Sequence, residues 1–128
     1  MPTRDASDHD PLPDAPIYQL KADFFRLLGH PARVRILELL RDGERTVGEL
    51  QHALGLDSSG TSQHLGAMRR QRVLDARRQG TSVYYRVRDP RIFQLLATAR
   101  EILSAGLEET REILQALNAD APGATRER

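Results

Sequence analysis

Apolar residues recur along the chain with two different periods, and the switch between them divides the sequence into three parts. From residue 17 to 72 they recur every three to four positions, which is typical of amphipathic helices. Over 82–88 they alternate with polar residues, which is typical of a half-buried strand. Beyond residue 90 the helical period returns. The pattern therefore predicts helices, then a short β segment, then one last helix.

Two helices are predicted before residue 44. The segment 17–29 is amphipathic, with Phe24, Phe25, Leu27 and Leu28 offered to a core, and Gly29 ends it. Pro31 suits the first turn of the next helix, and Gly43 is expected to close it in the left-handed conformation.

Two shorter helices follow with clear start signals. Thr46 and Glu49 have the spacing of a capping box, and Gly55 suits the end of that helix. Asp57 is placed to cap a new helix that begins at Ser58. Two helices joined by a tight, glycine-containing turn match the helix-turn-helix plan.

The alternating segment SVYYRVR places Val83, Tyr85 and Val87 on one side of a strand. The preceding LDARR can pair with it across a turn at 79–80. This predicts a β-hairpin with Arg77 and Arg78 near its tip.

A long helix after Asp89 and Pro90 carries apolar or small residues at alternating spacings of four and three. Such a heptad-like seam indicates helix-to-helix packing. We expect it, together with the first helix, to form the interface of a homodimer, although the seam could instead lie across the core of its own chain. The positions assigned to the interface are Leu96, Ala99, Leu103, Gly106, Ile113 and Leu117, and the seam also includes Ile92 and Thr110.

The helix that opens with SSGTSQHLGAM is rich in poor helix formers, and its geometry suggests why. With about 100° per residue, Thr61, Leu65 and Met68 share one face and turn inward. The opposite face is short, polar and nearly flat, so it can approach the base edges of a DNA major groove closely. That outward face is formed by Ser59, Ser62, Gln63, Gly66 and Arg70.

Charge supports the same reading. The net charge is only +1, but residues 57–91 hold 8 arginines against 3 acidic residues, which indicates a nucleic-acid surface.

Cysteine is absent, which excludes disulfides and thiolate chemistry. Residues 1–16 and 118–128 are poor in core material and are expected to be disordered tails around one domain of residues 17–117. Without a long apolar run or a signal-peptide profile, the chain is expected to be cytoplasmic, with no membrane partner.

Taken together, the run HPARVRILELL, the SQHL helix and the RRQGTSVYY hairpin resemble the winged helix-turn-helix repressors of the ArsR/SmtB type. The resemblance implies a mainly α fold with a small β-hairpin wing, in the order α-α-α-α-β-β-α. It implies a homodimeric repressor that binds an inverted-repeat, double-stranded DNA operator and is released by an effector. For this chain three alternatives stay open, namely release by an unidentified small molecule, release by a partner protein, or simply a change in repressor level. The DNA-binding candidates are Ser58, Ser59, Ser62, Gln63, His64, Arg69, Arg70, Arg77, Arg78 and Tyr84.

The metal sites of that family are not reproduced. Thr46 and Gly48 stand where thiolate-using members carry cysteines, and Arg91, Ile102 and Ala105 replace the partners of Asp89 at the other site. Asp89 is better explained as a helix cap. We therefore expect no metal and no cofactor.

No nucleophile and base can be paired from the sequence, so we expect no enzyme activity. The alternative function is a nucleoid or architectural DNA-binding protein without strong sequence specificity.

Overall fold

The computed structural model describes residues 15–120. The chain forms two units that divide between Arg88 and Asp89, and the predicted domain of residues 17–117 spans both. Within the described residues the helices are α1 (Ala15–Leu28), α2 (Pro31–Leu39), α3 (Val47–Leu54), α4 (Ser58–Arg70) and α5 (Arg91–Asp120), and the strands are β1 (Arg45–Thr46), β2 (Leu74–Gln79) and β3 (Ser82–Val87).

The mainly helical fold with a β-hairpin wing is confirmed, with one strand that the sequence did not predict. Strands β2 and β3 pair antiparallel around a turn at Gly80, where φ is +63°. The two-residue strand β1 pairs with the other edge of β3, so that the sheet order is β1-β3-β2. The wing is thereby tied to the segment that leads directly into α3.

A small apolar core holds the first unit together. Ile36 and Leu37 of α2, Leu50 of α3, and Leu65 and Met68 of α4 are all at most 1% exposed. Burying each such side chain contributes roughly 1.5 to 3 kcal/mol. The remaining core residues of this unit are Leu27, Leu28, Leu40, Thr61, Val73 and Leu74. The core therefore fixes α4 by its inner face and leaves the other face outside.

The predicted caps of α3 and α4 are confirmed. The Thr46 hydroxyl accepts from the Glu49 N–H at 3.1 Å, and the Glu49 carboxylate accepts from the Thr46 N–H at 2.9 Å. Gly55 is left-handed, with φ +69° and ψ 24°. The Asp57 carboxylate accepts from the Gly60 N–H at 2.8 Å. The turn between the two helices is thus closed from both sides.

Two local predictions for the first two helices were wrong. Gly43 has φ +137° and ψ −175°, an extended conformation with positive φ that is essentially restricted to glycine, because a 3-10 turn over Leu40–Asp42 closes α2 first. Phe25 is 58% exposed and lies about 200° around the helix from the buried Leu27, so the core contact is made by Leu27 and Leu28 in the last turn instead.

The second unit, taken by itself, is the long helix α5. It ends at Asp120, three residues beyond the predicted C-terminal limit of the domain. Helix α1 likewise begins at Ala15, two residues before the predicted N-terminal limit. The rest of both predicted tails lies outside the described residues. The Asp89 carboxylate accepts from the Arg91 N–H at 3.0 Å, which fits its predicted role as a cap. Large apolar side chains of α5 remain more than half exposed, namely Ile102, Leu103, Leu107, Ile113, Leu114 and Leu117.

Candidate nucleic-acid interface

Helix α4 presents the two faces that its sequence predicts. Thr61, Leu65 and Met68 are buried, and the Thr61 hydroxyl donates to the Asp57 carbonyl at 2.9 Å. The exposed residues of the helix include Ser58, Ser59, Ser62, Gln63, Arg69 and Arg70. Its outer face therefore offers hydroxyl and amide groups along the first two turns and guanidinium groups at the end.

A shallow depression of about 600 Å³ runs along this outer face. It is lined by residues of α4 together with Arg33 of α2; the α4 residues are Ser59, Ser62, Gln63, Ala67 and Arg70. The short polar side chains along it allow another surface with its own donors and acceptors to come close. Arg33 was not among the sequence-predicted residues, because nothing local shows that α2 borders α4 at this point.

His64 lies behind the outer face and is half-buried. The Arg33 Nε–H donates to its Nδ1 at 3.1 Å, and the ring centroids of His64 and His30 are 4.4 Å apart. Burial lowers the pKa of His64, and the charges of His30 and Arg33 lower this pKa further. The imidazole is therefore neutral near pH 7, with its proton on Nε2 because Nδ1 is the acceptor.

In the wing, Arg77 is not free, although the sequence placed it near the hairpin tip as a DNA contact. Its guanidinium donates to the Glu44 carboxylate at 2.7 to 3.0 Å and to the Gln79 side-chain oxygen at 2.6 Å. It also lies 4.6 Å from the ring centroid of Tyr84, its cross-strand partner. This hydrogen bonding raises the pKa of Arg77 and lowers that of Glu44.

The wing residue nearest the turn behaves differently. Arg78 is exposed, and it lies opposite Val83, one pair nearer to the turn than Arg77. Because side chains alternate along a strand, it points to the other face of the hairpin from Arg77 and Tyr84. Arg86 and Arg88 lie at the base of the hairpin, 3.5 and 3.8 Å from the Asp75 carboxylate. Of the two predicted wing arginines, Arg78 is therefore the one whose charge is not already matched within residues 15–120.

Residues 30–76 match the family model described as bacterial regulatory protein, arsR family. The chain is 49% identical over 105 residues to the HTH-type transcriptional regulator Rv0081 of Mycobacterium tuberculosis, which covers 81% of this chain and 92% of the relative. This chain belongs to the arsR family. The predicted resemblance to the ArsR/SmtB-type regulators is confirmed. The chain is a DNA-binding transcriptional regulator.

Further relatives extend the comparison. The crystal structure of Rv0081 matches this arsR-family protein with a TM-score of 0.70 at 50% identity, covering 74% of this chain and 96% of that one. The homodimeric winged helix-turn-helix domain Mb0332 of Mycobacterium bovis matches with a TM-score of 0.65 at 29% identity, covering 72% and 85%. The biofilm growth-associated repressor of Xylella fastidiosa is 31% identical over 84 residues, 66% of this chain and 74% of the relative.

In the arsR-family protein, Asp89 and Thr46, which stand at the two family metal-site positions, are already bonded to other protein groups. Arg91 donates to the Asp89 carboxylate at 2.7 Å, and this bonding lowers the pKa of Asp89 to about 2. The Thr46 hydroxyl is occupied by the cap of α3. Between Ala15 and Asp120, no group of three or more His, Asp or Glu side chains is arranged to hold a metal ion. In the same part of the chain, no helix is long and apolar enough to cross a membrane.

Proposed function

We propose that this arsR-family regulator represses transcription by binding an inverted-repeat operator as a homodimer, with α4 in the major groove. The observation that carries the proposal is the exposed polar face of α4, fixed from behind by Thr61, Leu65 and Met68. On that face Ser59, Ser62 and Gln63 are the base readers, because short hydroxyls and an amide can donate to and accept from base edges at close range.

The phosphate contacts come from the arginines around this face. Arg69 and Arg70 are exposed in the last turn of α4, where they can reach the backbone beside the groove. Arg78 supplies a cation on the wing, a position suited to phosphate or minor-groove contact. Ser58 adds a hydroxyl at the start of α4. Three other candidates act as supports behind the contact surface, namely His64, Arg77 and Tyr84.

The proposed homodimer places two copies of α4 on two half-sites. In a two-fold dimer these lie about one helical turn of DNA apart, roughly 34 to 36 Å. The seam of α5 is the proposed interface, since large apolar side chains such as Leu103 at 66% and Leu117 at 61% exposure need a covering surface. The exposed apolar side chains of α1 are proposed as a second part of the interface, with Ile17 49% and Leu20 68% exposed. The homodimeric relative Mb0332 supports this assembly.

Repression is proposed because a relative of this chain is itself a repressor. A protein of this kind blocks transcription while it is bound, and release requires an effector that binds the free form better than the DNA-bound form. A metabolite or a partner protein fills that role better than a metal ion, since the polar groups at both family metal positions are already bonded to protein groups.

The proposal is tested by gel-shift titration of the protein against DNA from upstream of its own coding sequence, in excess random competitor DNA. A specific operator complex survives competitor at a concentration where a general DNA binder is displaced. Displacement from every fragment at the same competitor concentration would favour the architectural alternative.

The assignment of the base readers is tested by Gln63→Ala. Removing its hydrogen bonds should cost roughly 1 to 3 kcal/mol on the operator and leave random-DNA affinity unchanged. Gln115→Ala is the matched control, because Gln115 is an exposed glutamine of α5 that is not among the DNA-binding candidates. An equal loss on operator and random DNA would show that Gln63 does not read a base.

A further inference from the structure

Arg33 joins three elements of the first unit. It belongs to α2, its Nη1–H donates to the Leu27 carbonyl near the end of α1 at 3.0 Å, and its Nε–H donates to His64 on α4 at 3.1 Å. One rigid guanidinium therefore links the end of α1 to the middle of α4. The Leu27 carbonyl is one of the last four of α1, which have no partner within their own helix.

The bond to His64 sets the protonation of that imidazole. Nδ1 accepts from Arg33 and so carries no proton, and the neutral ring keeps its hydrogen on Nε2. The neighbouring His30 ring is held independently, since its Nδ1 accepts from the Ala32 N–H at 3.1 Å as the cap of α2. A proton on Nδ1 of His64 would face the Arg33 donor, so this contact requires neutral His64.

Arg33 has donors left over after these contacts. A guanidinium carries five N–H groups, and the two bonds to His64 and Leu27 use two of them. Within residues 15–120 no protein acceptor engages the other three. The same side chain lines the depression beside Ser59, Ser62 and Gln63, so its unused charge borders the base-reading face.

We infer that Arg33 is a phosphate-binding residue of the DNA interface, held in place by His64 and the end of α1. The inference rests on the proposed docking of α4 in the major groove. A planar fork suits the task, because it can keep Nε–H on His64 while the outer N–H groups bind a phosphate oxygen at the groove edge. Lysine can supply the charge but not the two directions of bonding.

The test measures operator affinity against salt concentration for Arg33→Met and Arg33→Lys. Loss of one phosphate contact reduces the slope of log affinity against log salt concentration by about 0.9. When salt is raised from 50 to 200 mM, the fold-loss of affinity should therefore be about 3.5 times smaller for Arg33→Met than for the wild type. At 100 mM salt its affinity should fall at least about tenfold, the effect of a lost hydrogen bond to a charged group. Arg33→Lys should keep the wild-type slope.

The contact with His64 has its own readout in nitrogen-detected NMR. In the wild type His64 should show an unprotonated Nδ1, and in Arg33→Met its pKa should rise because a neighbouring positive charge is gone. An unchanged His64 signal in Arg33→Met would show that the hydrogen bond between Arg33 and His64 does not form. Arg33→Gln repeats both measurements with a second neutral side chain, in case thermal melting shows that Arg33→Met does not fold.

Arg35→Met is the matched control. Arg35 lies two residues away on α2, its side chain is 57% exposed, and it pairs with Glu38 at 3.9 Å instead of lining the depression. Its salt slope should equal that of the wild type. A wild-type slope for Arg33→Met or Arg33→Gln, whatever the affinity, would overturn the phosphate contact. Failure of the wild type to bind any operator would instead refute the proposed function.

Discussion

Replacing Leu103 with glutamate tests the proposed dimer near the centre of the seam. Leu103 is 66% exposed and lies between Ala99 and Gly106, so in the proposed dimer its side chain meets the partner helix. A carboxylate there must be buried without a partner, lose its charge or force the two helices apart. Because the two copies are related by symmetry, every dimer would carry the defect twice.

The size of the effect follows from the exposed area. Full burial of a leucine side chain contributes roughly 1.5 to 3 kcal/mol. With 66% of Leu103 still exposed in one chain, dimerisation would gain about 1 to 2 kcal/mol per copy and about 2 to 4 kcal/mol per dimer. Losing that amount weakens the dimer roughly 30- to 1,000-fold. The unpaired carboxylates move the result toward the upper limit.

Sedimentation equilibrium over a micromolar concentration range measures this change directly. The matched control is Ala105→Glu, which adds the same charge two residues along, about 200° around α5, at an exposed position outside the seam. Leu103→Glu should sediment as a monomer and lose operator binding, whereas Ala105→Glu should stay dimeric. If Leu103→Glu dimerises within about fivefold of the wild-type constant, the seam of α5 is not the interface.

Three further predictions concern the wing, His64 and metals. Arg78→Gln should flatten the salt dependence of DNA binding by about one phosphate contact, and Arg77→Gln by less, because Glu44 already binds Arg77; the reverse order would contradict the assignment. Between pH 7 and 5, urea unfolding should show falling stability, because the unfolded state takes up the His64 proton first, from its ordinary pKa of about 6.5 downward. His64→Asn should reduce that fall, and an equal fall in both proteins would exclude His64 as its source. Micromolar zinc, nickel, cobalt or cadmium should neither bind stoichiometrically nor release DNA, and calorimetry with a stoichiometric signal would refute this.

The sequence predicted those features of the fold that depend on neighbours a few residues apart. The capping box of Thr46 and Glu49, the left-handed Gly55 and the Asp57 cap all follow from local backbone chemistry. The inward and outward faces of α4 follow from helical periodicity alone. Strand β1 was missed because two residues carry no period, and it exists only where β3 offers an edge.

The candidate site was harder to predict, because its decisive contacts join distant parts of the chain. Arg33 and His64 are 31 residues apart, and Arg77 and Glu44 are 33 apart. The sequence identifies these four as charged or titratable side chains but gives no sign of which will meet. The exposed positions of Ser59 and Gln63 could be predicted, since facing solvent requires no partner, whereas the contacts of Arg33 with His64 and of Arg77 with Glu44 could not.

Thr46 belongs both to the sheet and to the cap of α3, and this double role couples the local unfolding of the two elements. It pairs with Tyr84 in the sheet, and its hydroxyl caps α3, so that the wing and α3 share one residue. Segments joined in this way exchange their amide hydrogens as one cooperative unit. In native-state hydrogen exchange, the amides of β3 and of the first turn of α3 should therefore share a single opening free energy, and Thr46→Ala should lower it for both segments together.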